Sequence, residues 1–314
     1  MVATGDLHWS TEQPNPASLD LDTRSTVEIV ETLLSADASV ASAVAAVGLE
    51  IAAAADRVVE TFTRGGTVHY VGSGTSGRMG VLDAVELLPT FNVDDSQVRA
   101  HLAGGPQAMT LAVEGAEDDA AAGEAIAREA GTRDLIVGLT ASGRTPFVRG
   151  AFAGAASGAI PTILVSTNPA APLAALADIA ILPDTGPEVL TGSTRLKAAT
   201  AQKMVLNALS TAAMVRLGKA YSNLMIDMIP TNEKLRIRSV GILRQASGVS
   251  EERARAALDS AQGSVRVALV SLLAGVDAAT ADSALERHPP SPRRERDPSG
   301  IRSAVLELEG TEDE

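Results

Sequence analysis

The sequence predicts an α/β protein: a doubly wound parallel sheet flanked by helices, followed by a small C-terminal helical bundle. Three observations carry this. Short apolar runs at 67–71, 97–103, 134–140, 160–166 and 179–182 alternate with helical patterns, the spacing of successive βαβ units. Two of the runs end in loops rich in glycine and hydroxyls, Gly72-Ser73-Gly74-Thr75-Ser76-Gly77-Arg78 and Ala141-Ser142-Gly143-Arg144-Thr145-Pro146. Beyond residue 231 the readable pattern is helical.

Composition narrows the chemistry. With 26 Lys+Arg against 39 Asp+Glu the net charge is −13, which argues against nucleic acid or an anionic membrane as the partner. An anionic ligand then needs a local positive site, for which loop N–H groups, Arg78, Arg144, Arg195 and Lys197 are candidates. The absence of Cys excludes disulfides, a thiolate nucleophile and Cys-ligated metal. The N-terminus has no apolar leader and no run reaches the ~18 apolar residues of a membrane span, so a cytoplasmic protein is expected. Aromatics make up 2%, leaving a core of Ala, Val, Leu and Ile and few platforms for stacking flat cofactors.

Residues 1–23, with Trp9, Pro14 and Pro16, read as an arm. Ser25 or Thr26 caps an amphipathic helix over 27–44, with Val27, Val30, Leu33, Leu34, Val40 and Val44 on one side. An Ala-rich helix at 46–63 stops at Gly65-Gly66. The strand 67–71, buried on both faces, enters the first hydroxyl loop. The helix that follows has Met79, Val81, Leu82, Val85 and Leu88 at apolar positions, with Asp83 and Glu86 three residues apart.

Strand, glycine loop and helix start aim backbone N–H groups and the positive helix end at an anion. Gly72, Gly74 and Gly77 satisfy GxGxxG, yet Ser73, Thr75 and Ser76 suit a terminal phosphate better than a pyrophosphate, which needs bare glycine backbone. A dinucleotide site also expects an acid at the end of the second strand, whereas Asp94 and Asp95 precede the run at 97–103.

After Gly104-Gly105 come a helical segment at 106–113 and the acidic cluster 114–119. The strand 134–140 ends in the second hydroxyl loop, and a helix runs to about 157. Both hydroxyl loops fall at the carboxyl ends of strands, where open parallel sheets bind ligands. The stretch 187–197 introduces a long helix to about 217, with Ser193 or Thr194 near its start and Lys197 one turn in. Thr231 or Asn232 caps a further helix after Pro230. Ser250 opens a bundle at 250–287 punctuated by Gly263 and Gly275, 289–300 reads as a Pro/Arg linker, and 301–308 forms a last short helix before an acidic tail. His69 and His101 read as core histidines, and no His/Asp/Glu grouping has metal spacing.

GSGTSGRMGVLDAVELLPTF at 72–91, VEGAEDD at 113–119, ASGRTPFV at 141–148, the block 188–219, NLMIDM at 223–228 and TNEKLRIR at 231–238 together resemble the N-acetylmuramic acid 6-phosphate etherases. These belong to the sugar isomerase (SIS) superfamily and are related to glucokinase regulatory protein. The resemblance runs colinearly from about residue 11 to 287. It implies an SIS fold, a homodimer with sites near the subunit interface, no cofactor, and no nucleic-acid or membrane partner. It also implies cleavage of the lactyl ether of a phosphorylated amino sugar. Its acid/base glutamates, in the DAxE and GAED motifs, correspond to Glu86 and Glu117; Gly74, Ser76, Gly77, Ser142, Thr145 and Ser193 correspond to the phosphate site. The expected organisation is an arm at 1–23, a phosphosugar-binding domain at 24–230, a helical region at 231–288, and a linker and tail at 289–314. The chain departs from the family at Val85 before the first glutamate and Leu87-Leu88 after it. These apolar neighbours are expected to enclose Glu86 as proton donor, with Glu117 as the base and Asp83, Glu114 and Asp118 as solvated acids. A phosphosugar sensor without turnover, a GxGxxG oxidoreductase and an SIS isomerase of another phosphosugar are the competing readings; retention of both glutamates weighs against the sensor.

Overall fold

The computed structural model describes residues 10–228 and 232–310; Trp9, the cap candidate Thr231 and the acidic tail lie outside the described residues. Five strands, β1 (Val68–Gly72), β2 (Val98–Leu102), β3 (Leu135–Leu139), β4 (Thr162–Val165) and β5 (Ile179–Ile181), form one sheet in the order β2-β1-β3-β4-β5. All pairings are parallel, with Val68 opposite both Val98 and Leu135. β1 and β3 are buried at every residue, which is why their runs are continuously apolar. The chain steps outward from β1 to β2 and returns to β3 on the other side. Connections therefore diverge at the β1/β3 boundary and leave a crevice at its carboxyl end.

The helices follow the local signals with some differences. α1 (Thr26–Asp37) starts in a capping box: the Ser25 side chain accepts from the Glu28 N–H, and the Glu28 carboxylate accepts from the Ser25 N–H. The single helix expected over 27–44 breaks after α1, and α2 (Val40–Ala45) takes the remainder. α1 buries no residue; Val27, Val30 and Leu34 are exposed. The Ala-rich α3 (Gly48–Thr63) buries Ile51, Ala54, Ala55, Val58 and Val59.

α4 (Gly74–Phe91) reverses its expected orientation. Its inward face is Gly80, Asp83, Leu87 and Phe91, while Leu82, Val85 and Leu88 are exposed. The cause lies at Gly80, where a Cβ would come 2.7 Å from Leu139 Cδ1 and 3.1 Å from Tyr70 Cβ. Only a face of small residues lets the helix pack this close to β1, and that face carries Asp83. The helix expected at 106–113 is a single 3-10 turn, Pro106–Met109. α5 (Ala120–Glu129), capped by Asp119, packs against α6 (Pro146–Gly158), and α7 (Lys197–Arg216) is the long helix expected to begin near Ser193.

The chain forms two compact units, Met1–Ala84 with Asp95–Ser210, and Val85–Asp94 with Thr211–Glu314. The divisions fall inside α4 and α7. In the second unit a short hairpin, β6 (Ala220–Tyr221) and β7 (Leu224–Met225), precedes α8 (Glu233–Ser247), α9 (Glu251–Ser260), α10 (Val265–Ala274), α11 (Ala278–Arg287) and α12 (Ile301–Gly310). Asn232, Ser250, Ser264 and Asp277 each accept an N–H bond at a helix start. The Pro/Arg stretch at 289–300 packs rather than links. Asp297 and Ser299 are buried, and the Asp297 carboxylate accepts from both the N–H and the hydroxyl of Ser303, at 2.9 and 2.8 Å. α12 thereby joins the core through Ile301, Ala304 and Leu308. Among the described residues no single helix is long and apolar enough to cross a membrane.

A Cβ at Gly77 would lie 2.5 Å from the Gly72 carbonyl oxygen and 2.5 Å from Leu102 Cδ1. Gly77→Ala is therefore expected to destabilise the protein by about 2 kcal/mol or more. Gly241→Ala, in α8 with open space around its Cβ, should be neutral or stabilising by about 0.5 kcal/mol. Urea unfolding of the two variants checks both; equal midpoints would contradict the packing account.

Candidate active site

The site is built where β1 and β3 end. A Cβ at Gly72 would lie 2.9 Å from Gly77 N and from the Leu139 carbonyl oxygen, so bare backbone at both glycines lets the first turn of α4 sit over the two strand ends. Gly77 N–H donates to the Ser73 carbonyl at 3.0 Å. Gly74 is left-handed at φ +51° and faces open space, while Ser73 and Ser76 are largely buried. Hydroxyls and helix-start N–H groups thus gather at the end of β1.

The loop after β3 closes the other side. Gly143, at φ +70°, has no room for a Cβ, which would lie 2.2 Å from Ala171 Cβ. The loop after β4 grips it: Ser166 donates to the Ala141 carbonyl at 3.0 Å, Asn168 Nδ2 donates to the Ser142 carbonyl at 2.8 Å, and Leu173 N–H donates to the Gly143 carbonyl at 3.1 Å. Thr140 Oγ1 accepts from Gly143 N–H at 3.2 Å and lies 2.8 Å from Thr145 Oγ1. Ser142 Oγ accepts from Arg144 N–H at 3.2 Å and remains half-buried. Glu117 reaches this loop from the 3-10 turn Ala116–Asp118, accepting at Oε1 from the Thr145 hydroxyl at 3.3 Å. With Thr140 Oγ1 also 3.4 Å from Ser142 Oγ, Glu117, Thr145, Thr140 and Ser142 form one hydrogen-bonded group.

Other expected residues are placed differently. Glu86 is exposed on α4, flanked by exposed Val85 and Leu88, so the apolar enclosure expected for it is not formed in this chain. The buried acid of α4 is Asp83, one turn earlier and not the solvated side chain the sequence predicts. It accepts from Tyr70 Oη at 2.9 Å and Ser210 Oγ at 3.1 Å. Burial raises its carboxyl from 3.8 to about 6 despite these two donors. Ser193 lies in the turn before α7, and among the described residues no hydrogen bond ties it to the other hydroxyl loops.

Two of the four candidate cations, Arg78 and Lys197, turn inward, while Arg144 and Arg195 are exposed. Arg78 donates through Nε and Nη2 to the Ala108 carbonyl at 3.0 and 2.7 Å, pinning the 106–109 turn. Lys197 is buried and donates to the Thr185 carbonyl at 2.6 Å. Beside it Glu188, fully buried, accepts from Lys197 N–H and Ala198 N–H at 3.1 and 3.0 Å, and burial raises its carboxyl. Loop N–H groups and hydroxyls, rather than these two cations, are left to meet an anion. Thr140, Ser166 and Asn168 escaped the sequence reading; the one visible signal was Asn168-Pro169 at a strand end, a turn signature.

Comparison with known proteins decides the family. Residues 50–155 match the glucokinase regulatory protein N-terminal SIS domain. An N-acetylmuramic acid 6-phosphate etherase from Serratia proteamaculans (strain 568) is 48% identical over 280 residues, covering 88% of this chain and 94% of its own. The chain belongs to the N-acetylmuramic acid 6-phosphate etherase family. A member from Thermobifida fusca (strain YX) is 50% identical over 263 residues, covering 84% of this chain and 86% of its own. Among solved structures, a phosphoheptose isomerase from Francisella tularensis aligns over 60% of this chain and 100% of its own, with a TM-score of 0.44 and 15% identity.

Asp83 makes stability depend on pH in a defined direction. The folded chain holds a proton that the unfolded chain releases between about pH 4 and 6, so its contribution is complete below pH 4 and is lost as pH rises through about 6. The loss amounts to about 3 kcal/mol. Asp83→Asn keeps an acceptor for Tyr70 and cannot ionise, so relative to wild type it should gain about that much between pH 4 and pH 7. Urea unfolding at the two pH values measures it; a pH-independent difference would contradict the assignment.

Proposed function

We propose that this protein cleaves the D-lactyl ether of N-acetylmuramic acid 6-phosphate, giving N-acetylglucosamine 6-phosphate and D-lactate. It is a carbon–oxygen lyase of amino sugar catabolism and peptidoglycan recycling. The observation that carries the reading is 48% identity to an etherase across 88% of the chain, spanning both hydroxyl loops, Glu86 and Glu117.

The chemistry explains why these residue types are needed. An ether at carbon 3 is inert until the sugar ring opens. The aldehyde at carbon 1 then acidifies the carbon 2 proton, a base removes it, and the carbon 3–oxygen bond breaks as the lactate oxygen takes a proton. Water adds to carbon 3 of the unsaturated aldehyde and carbon 2 is reprotonated. Substrate and water balance this sequence, which asks of the protein one base, one acid and a hold on the phosphate.

Gly74, Ser76 and Gly77 of the first loop, with Ser142 and Thr145 of the second, are assigned to the phosphate; Ser193 is assigned with them through the family motif. The positive helix start and the loop N–H groups support this, since Arg78 and Lys197 are committed to carbonyls. Glu117 is assigned as the base and Glu86 as the acid. The exposed stripes Val27, Val30, Leu34 and Leu82, Val85, Leu88 favour a homodimer, in which a second protomer supplies the apolar cover that Glu86 lacks. The enzyme is assigned to the cytoplasm. The match to a regulatory protein's domain keeps one second reading, a sensor that binds phosphosugar without turnover.

The test is D-lactate release from N-acetylmuramic acid 6-phosphate by wild type, Glu86→Gln and Glu117→Gln. Release by wild type with loss of at least 100-fold in each variant is expected. Binding without release by wild type would establish the sensor instead.

A further inference from the structure

We infer that the Arg144 guanidinium binds the lactyl carboxylate of the substrate, and so sets the preference of this site for a sugar phosphate that carries a second acid. The inference rests on the etherase reading, in which Glu117 takes the carbon 2 proton, and adds to it the residue that recognises the leaving group.

The chemistry of the ligand fixes where such a group must stand. The substrate presents two anions, its phosphate and the carboxylate of its lactyl ether, whereas the product sugar keeps only the phosphate. Phosphate, ring and N-acetyl group are common to both, so the lactyl carboxylate is what a site must read to tell one from the other. From carbon 2 the path to that carboxylate runs through carbon 3, the ether oxygen and one lactyl carbon, which places it at most about 5 Å from the carbon that loses its proton. A carboxylate held that close to an ionised base is repelled by it, and a chain of net charge −13 adds no general attraction. A cation beside Glu117 offsets both.

Arg144 is the cation that the second loop supplies there. It directly precedes Thr145, which puts the two Cα atoms about 3.8 Å apart. The Thr145 hydroxyl in turn lies 3.3 Å from Glu117 Oε1. Arg144 and Glu117 are both exposed, whereas Thr145 between them is buried. The backbone at Arg144 is fixed on both sides: Gly143 has no room for a Cβ against Ala171, Arg144 N–H donates to Ser142 Oγ at 3.2 Å, and the Thr145 carbonyl accepts from Arg149 N–H at 3.0 Å. Only the long side chain has to adjust to a ligand, and its paired N–H groups match the two oxygens of a carboxylate. The other candidate cations are placed less well. Arg78 and Lys197 donate to the Ala108 and Thr185 carbonyls. Arg195 lies on the turn before α7, which no hydrogen bond joins to Glu117 among the described residues.

The test gives the full-length protein N-acetylmuramic acid 6-phosphate and its lactyl amide, in which an uncharged carboxamide replaces the carboxylate, and follows N-acetylglucosamine 6-phosphate formed from each. Wild type should prefer the acid by about 30-fold or more in kcat/KM, the usual worth of a charge-assisted pair. Arg144→Gln should lower kcat/KM for the acid by about that factor and leave the amide within about threefold, so that the preference disappears. Arg144→Lys keeps the charge without the paired N–H groups and should retain a preference of about fivefold. Inhibition by N-acetylglucosamine 6-phosphate should stay within about twofold in both variants, a readout that a disturbed loop would move. Any of four results would overturn the inference while the etherase reading stands: no preference for the acid in wild type, equal losses with acid and amide in Arg144→Gln, product inhibition weakened about tenfold or more, or loss of the preference in Arg195→Gln but not in Arg144→Gln. If wild type releases no D-lactate from the acid, the etherase reading fails and the inference with it.

Discussion

The structure depends on the absence of two side chains. Gly72 ends the central strand and Gly77 lies in the first turn of α4, and a Cβ on either would come within 3 Å of the other's backbone. Because neither has one, the positive end of α4 rests on the boundary between β1 and β3, where the strand order reverses. The same closeness continues down the helix at Gly80 against Tyr70 and Leu139. It brings Asp83 into the interior, where Tyr70 and Ser210 satisfy its carboxyl.

Three carboxylates of similar intrinsic acidity are thereby given different work. Asp83 is buried and fully hydrogen-bonded, a fastener between α4, β1 and α7. Glu86, one turn on, is turned outward and exposed. Glu117 stands on a short turn beside the second loop, where the Thr145 hydroxyl meets it. Their positions on helix and turn, not their chemistry as free side chains, separate a structural acid from the two assigned to proton transfer.

Much of this was legible in sequence. All five strands fell where apolar runs predicted them; the pattern is plainest in β1, β3 and β4, which are buried at every residue, and weaker in the partly exposed edge strands β2 and β5. The two hydroxyl loops were equally plain, since strand, glycine and helix start leave a local signature. What was not legible depended on contacts distant in sequence. The apolar positions of α4 predicted the wrong inward face, because the helix buries glycines and one satisfied acid and leaves Leu82, Val85 and Leu88 outside. Arg78 and Lys197 looked like anion ligands until their carbonyl partners, 30 and 12 residues away, were placed. The Pro/Arg stretch has a linker's composition, yet Asp297 and Ser299 fold it against the helical unit.

The central claim is that a sugar-phosphate cradle with paired glutamates breaks an ether by elimination and rehydration at carbon 3. It is tested most directly by turnover in isotopically labelled water. In a mixture of deuterium oxide and 18O-labelled water, the account predicts deuterium at carbon 2 of N-acetylglucosamine 6-phosphate, 18O in its carbon 3 hydroxyl, and D-lactate free of 18O. Lactate carrying 18O, or a carbon 2 hydrogen that never exchanges, would place the bond cleavage elsewhere and contradict it.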